Sequence, residues 1–316
     1  MKRDTWQVKG NKRANSRSQA PWCHVSFAGR AESSRPRTVS HCFPAFTLVE
    51  LLMVIAVIAI LAALLMPSLN AAKMRAQAAG CMSNCKQLVL AWQQYAMENN
   101  DRLAINSDQS LPYQGTSSWI SGVLDWTTNP VNINTSNLVS DSASLFGNLL
   151  GHNTKVFACP AANYVSPAQQ AAGWTGRCRS VAMDGGLGAG NRAASLVDQW
   201  PTFFQATKMS DLRNPGPSDT WVFADEHPDF LDDGIFYLNP SATGSGTEWF
   251  TELPGSQHGL ATGISFADGS AMVRRWLDPE TCPGIDYQWR GGNDESYVDD
   301  DPDLPWLSRR CPLSPN

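Results

Sequence analysis

Between Phe46 and Met66 the chain reads FTLVELLMVIAVIAILAALLM, twenty-one residues carrying one charge, Glu50. As an α-helix rising about 1.5 Å per residue, this run spans roughly 31 Å, enough to cross the hydrocarbon core of a bilayer. The pattern changes after Pro67. Residues 68–99 are rich in Ala, Lys, Gln, Met and Leu, which favour helix. Cys81, Cys85, Leu88, Trp92 and Tyr95 recur at spacings of four, three, four and three, which places them on one helical face. The pattern predicts a helix that continues past Pro67, lays this face on a globular domain and stops at Asn99-Asn100-Asp101.

Beyond residue 104 no helical period persists. Short apolar and aromatic runs are punctuated by Gly, Pro, Asn, Ser and Asp, the pattern of strands and loops. Candidate strands are Lys155–Ala158, Thr220–Ala224, Gly234–Leu238, Gly263–Ala267 and Ser270–Trp276. Asp268-Gly269 suits a two-residue type I′ turn. That turn would pair Phe266 with Ala271 and Ile264 with Val273 and give the hairpin one apolar face. Residues 277–316, with Gly291-Gly292, several prolines and acidic pairs, read as loop. The expected fold class is α+β: a long N-terminal helix, half transmembrane and half packed on the domain, then a mainly antiparallel β-sheet domain. The expected segments are 1–45 (basic leader), 46–66 (membrane helix), 67–102 (packed helix), 103–276 (β-rich domain) and 277–316 (acidic tail).

Charge sharpens this picture. Residues 1–45 carry nine Lys/Arg and two Asp/Glu, whereas the whole chain is at -5, so the remainder is acidic. A basic head before an apolar run orients a single-pass chain with its N-terminus in the cytoplasm and its body exported. The acidic body would repel phosphate, which argues against a nucleic-acid partner. Of eight cysteines, six follow the apolar run, on the side where disulfides are permitted. Cys159 and Cys178, nineteen positions apart, are the candidate bridge. Cys81 and Cys85 share a helical face and read as small buried residues, since a bridge within a regular helix is disfavoured.

The run from Phe46 resembles the N-terminal cleavage and methylation segment of type IV pilins and type II secretion pseudopilins. In that family a basic leader is cut before an aromatic residue, which is then N-methylated, and a Glu stands at the fifth mature position. The resemblance places the cut between Ala45 and Phe46, the methyl group on Phe46, the assembly carboxylate at Glu50 and a helix proline at Pro67. Ala45 departs from the usual Gly. A second resemblance lies further on. His258, nine residues, then Asp268-Gly269 is similar to the His-x9-Asp-Gly signature of a large group of pilin-like proteins. Phe157-Ala158-Cys159-Pro160 and the run from Ala224 to Asp229 are similar to the same group. The resemblance implies a prepilin peptidase as processing partner, other pilin-like subunits and the bacterial inner membrane as further partners, and no required cofactor.

Candidate chemistry is sparse. Asp225, Glu226, His227 and Asp229 crowd four polar side chains into five positions, with Asp232 and Asp233 behind them. Such a cluster can hold Ca²⁺ or, through the histidine, another divalent metal, and otherwise reads as a solvated loop. If His258 and Asp268 came near this cluster, a mixed site would result. Ser256 near His258 lacks the Gly-x-Ser-x-Gly elbow of a hydrolase. The run from Asp184 to Gly190 lacks the Lys-Ser/Thr of a phosphate loop and reads as a flexible turn. The chain is therefore expected to be no enzyme but a structural subunit of a pilus-like fibre or secretion pseudopilus. The alternatives are an anchored surface module whose tryptophans hold a polymer such as polysaccharide, and an anchored metal-dependent hydrolase.

Overall fold

The computed structural model describes residues 46–107, 118–190, 202–244, 247–288, 290 and 296–313. The chain divides into two compact units, Met1–Ala56 and Val57–Asn316. Helix α1, Leu48–Glu98, is unbroken for 51 residues and holds Pro67 in its interior. It is one helix long and apolar enough to cross a membrane, and none of its most apolar window is buried. Burial begins at Cys81 and continues through Cys85, Leu88, Val89, Ala91, Trp92 and Ala96, on the face that the spacing predicts. The helix ends where Asn100 and Asp101 turn left-handed, at φ 57° and 70°, and the Asp101 amide donates to the carbonyl of Ala96 at 2.9 Å.

The rest of the larger unit is built on a five-stranded sheet in the order β3-β1-β2-β5-β6. The strands are β1 Val181–Asp184, β2 Trp221–Asp225, β3 Ile235–Phe236, β5 Ala261–Phe266 and β6 Ala271–Arg275. The β1–β2, β2–β5 and β5–β6 pairs are antiparallel, and β1–β3 is parallel. The sheet is thus mixed. A second, two-stranded antiparallel sheet joins β4 Thr247–Phe250 to β7 Ser296–Asp299. The described residues also form the short helices α2 Ser136–Val139, α3 Pro167–Ala171 and α4 Asp303–Ser308.

The central strands are buried on both faces, and their alternation divides the core in two. Val181, Met183 and Phe223 pack with Leu88, Val89, Trp92 and Ala96 of α1. Ala182, Ala224, Ile264 and Phe266 face the other way, onto Trp276 and onto Leu304 and Leu307 of α4. Trp92, Trp119 and Trp221 are fully buried. Among the described residues the tryptophans therefore serve chiefly as core, where one aromatic side chain covers the area of several aliphatic ones.

Four expectations are corrected. Residues 154–157 form a 3₁₀ turn, opened by the Asn153 side chain accepting from the Lys155 amide, and not a strand. The β5–β6 hairpin pairs Ser265 with Ala271 and Ile264 with Met272, one residue out of the expected register. Phe266 donates to the carbonyl of Ser270, so the loop has three residues, Ala267 to Gly269, with Gly269 at φ 89°. The acidic tail folds back as structure: the buried Asp303 carboxylate accepts from the amides of Leu277 and Asp278, and α4 covers the sheet's second face. The glycine-rich run after Asp184 is packed: Leu187 is fully buried, and a Cβ on Gly188 would stand 1.9 Å from the carbonyl oxygen of Ala104.

Candidate functional site

At the start of α1, Thr47 and Glu50 form a reciprocal capping box. The Glu50 carboxylate accepts from the Thr47 amide at 2.9 Å and from its hydroxyl at 2.8 Å, while the Glu50 amide donates to Thr47 Oγ1 at 3.2 Å. Two orphan amides of the first turn are thereby satisfied, and the hydroxyl bond links the two side chains. Phe46 and the apolar residues that follow it are exposed, and Ala45 lies outside the described residues. The Thr-x-x-Glu spacing that makes the cap is present in the sequence, a signal that the expectation of an assembly carboxylate at Glu50 passes over.

Within the larger unit, four ligand-type side chains from distant segments converge. They are Cys81 on α1, Cys159 after the 3₁₀ turn, Asp225 at the end of β2 and His258 just before β5. One ligand atom from each lies within 4.8 Å of the other three. All four residues are at least nine-tenths buried. The Cys81 thiol donates to Asp225 Oδ2 at 2.7 Å. The Ser180 hydroxyl holds the other oxygen of Asp225 at 2.6 Å and also accepts the Cys159 amide at 2.7 Å. Cys159 Sγ lies 3.1 Å from His258 Nε2 and accepts the Ala161 amide at 3.3 Å.

Local sequence explains the convergence. Gly263 on β5 faces α1, and a Cβ there would stand 2.6 Å from Cys81 Sγ and 3.3 Å from Cys85 Sγ. Only glycine lets the helix come this close. Burial governs the electrostatics. The Cys159 thiol pulls Cys81 down, but Cys85, burial and the Asp225 charge outweigh it, so Cys81 is held well above the ordinary thiol range. Cys81 and then burial push Cys159 up, against the pull of His258. Burial raises Asp225 to about 6, against the hydrogen bonds from Cys81 and Ser180. With no cation present, both thiols are protonated.

The acidic run does not converge as a unit. Asp225 joins the cysteines, while Glu226, His227 and Asp229 go elsewhere. Asp229 is occupied by Trp126 Nε1 at 2.9 Å and by the amides of Asp286 and Tyr287 at 3.0 and 3.1 Å. His227 accepts the Asp229 amide through Nδ1 at 3.3 Å, and its Nε2 meets the Pro283 carbonyl at 3.2 Å. Burial pushes its pKa down to about 4, so the ring is neutral. Asp268 is exposed and caps its own hairpin by accepting the Ser270 amide at 2.9 Å, so it does not meet His258 in the cluster. The expected Cys159–Cys178 bridge is not formed. Both thiols are free, and Cys178 turns instead toward the carbonyl of Val131, 3.8 Å away.

No protein-family model matches the chain, and neither a curated protein nor a solved structure is significantly similar to it.

Proposed function

We propose that the chain is a pilin-like subunit, cut between Ala45 and Phe46 by a prepilin peptidase and assembled through α1 into a pilus-like or secretion pseudopilus fibre. The observation that carries this reading is the division of labour along one 51-residue helix. Its front is exposed, apolar and carries Glu50 alone, and its back is buried under the sheet. A helix buried throughout would belong to the core of a soluble protein. A carboxylate costs on the order of 2.5–3.5 kcal/mol at a membrane centre and less toward the interface, so a partner charge on a neighbouring helix would stabilise Glu50 there.

In this reading the basic head stays in the cytoplasm and the acidic body is exported from the bacterial inner membrane. Cleavage frees the amine of Phe46. Glu50 of one subunit then pairs with the Phe46 amine of its neighbour and sets the axial register as the helices stack. Before assembly the capping box satisfies the same carboxylate within the chain. The anchored glycan-binding alternative gains no support from the described tryptophans, none of which is fully exposed.

Glu50→Gln separates the two roles of this side chain, since glutamine keeps a capping box but carries no charge. Mass spectrometry of the membrane-extracted protein should find a chain that begins at N-methylated Phe46. Glu50→Gln should insert into the membrane normally, yet be lost from sheared or crosslinked filaments. A native chain that still carries residues 1–45, or normal incorporation of the Gln variant, would remove the fibre reading.

A further inference from the structure

We propose that Cys81, Cys159, Asp225 and His258 form a closed tetrahedral site for zinc or a similar borderline divalent cation, which fastens α1 to the sheet. The proposal goes beyond the fibre reading and is independent of it, since an anchored protein that never polymerises could hold the same ion.

The donor set selects the class of metal. Two sulfurs, one imidazole nitrogen and one carboxylate oxygen suit zinc, whereas calcium and magnesium take oxygen. Four protein ligands in a buried pocket leave no open position for substrate, which points to a structural ion and not a catalytic one. Supporting groups are already in place. Ser180 orients the Asp225 carboxylate, and the Ala161 amide points at the Cys159 sulfur. Groups of this kind around the ligands fix their geometry and strengthen binding.

The exchange balances in charge and protons. Without metal, the Cys81 thiol hydrogen-bonds Asp225 and the Cys159 thiol lies against His258. A divalent cation at the centre displaces both thiol protons to solvent, and these two short contacts become four metal–ligand bonds. Two thiolates and a carboxylate around a dication leave one net negative charge, which the Ser180 hydroxyl and Ala161 amide partly neutralise. His258 would bind through Nε2, the nitrogen that faces Cys159, with its proton on Nδ1.

The four ligands come from α1, the segment after the 3₁₀ turn, the end of β2 and the approach to β5. Binding would therefore close long loops of chain at a single point, and its free energy would add to that of folding.

The test uses the full chain, extracted from membranes in detergent under non-reducing conditions and without chelator. Elemental analysis should find one zinc per chain. Replacement by Co²⁺ should give the intense visible bands of a tetrahedral thiolate site. Asp225→Asn and Cys159→Ser should each lose or shift those bands, while Cys85→Ser, one helical turn from the site, should keep them. Chelation should lower the Tm of the wild-type protein. If a variant fails to fold, the cobalt spectrum and metal content of the wild type still decide. Absence of metal together with failure to take up Co²⁺, or a native Cys81–Cys159 disulfide in the non-reduced digest, would overturn the proposal. Loss of the bands in Cys85→Ser but not in Asp225→Asn would overturn the assigned ligand set.

Discussion

Asp225 and Glu226 are neighbours in sequence, both carboxylates and both buried, yet they occupy opposite chemical situations. Asp225, on the face of β2 toward α1, meets two cysteines, a histidine and a serine. Glu226, one residue on, turns to the other side. Its two carboxylate oxygens have no hydrogen-bond partner among the described residues. Arg177 and Arg179 favour its charge, but they spend N–H groups on the backbone carbonyls of Pro228, Val181 and Asp232. The difference teaches that a run of acidic residues is not a site. Strand alternation sends successive side chains to opposite faces, and what each one can do depends on which distant segments meet that face.

Of the variants that test this comparison on the Asp225 side, Gly263→Ala should have the largest effect. The new Cβ would press on Cys81 Sγ at 2.6 Å, in a place where both helix and strand are fixed by packing. Overpacking of this kind costs about 1–3 kcal/mol. The variant should melt well below wild type and bind the proposed ion poorly. An unchanged Tm would mean that α1 does not approach β5 as closely as described. On the other side, Asp229→Ala should act locally. It leaves the buried Trp126 Nε1–H without its acceptor, worth about 1–3 kcal/mol. The amides of Asp286 and Tyr287 are only partly buried, so water can replace the carboxylate there. Hydrogen exchange at those two amides should accelerate while the amides of β5 stay protected. Equal acceleration in both would show that Asp229 supports the whole sheet and not this segment alone.

How much of this could be read in advance varies by element. The back face of α1 was legible because 3.6-residue periodicity survives in Cys81, Cys85, Leu88 and Trp92, all of which are buried. Strands β2, β5 and β6 were legible as apolar runs between turn residues. Strand β1 was not: Val181–Asp184 is four residues long and buried throughout, so it shows no alternation. The hairpin register slipped by one because Asp-Gly fits a two-residue turn as well as the three-residue loop found, and local sequence does not choose between them. The tail was misread from its charge. Asp301 and Asp303 are fully buried, as acceptors for backbone amides and for Thr281. The cysteine–aspartate–histidine cluster was legible only in pieces. Its members lie in four distant segments, and nothing local to Cys81 or Cys159 names His258 as a partner.

Glu226→Gln isolates the unpaired member of the pair, and its effect is set by pH. Burial first, then the charge of Asp232, raises the folded-state pKa of Glu226 well above its ordinary value, and the two arginines only partly oppose this. A carboxyl group with a raised folded pKa favours the folded state fully below its unfolded pKa, near 4.3, and loses that contribution as pH rises toward the folded pKa. Over that interval one such group lowers stability by about 1.4 kcal/mol per pH unit. Glutamine has no proton to lose. Glu226→Gln and wild type should therefore melt within a degree or two of each other near pH 4.5. The variant should become progressively the more stable as pH rises to 8. Glu252, also buried and pushed up by burial and by the Glu226 charge, is relieved of that charge in the variant, so the difference between the two melting curves reports on the two carboxylates as a coupled pair. A difference that stays constant from pH 4.5 to 8 would mean that Glu226 is ionised throughout. In that case Arg177 and Arg179 hold its charge, and both carboxylates at the end of β2 are paired ones.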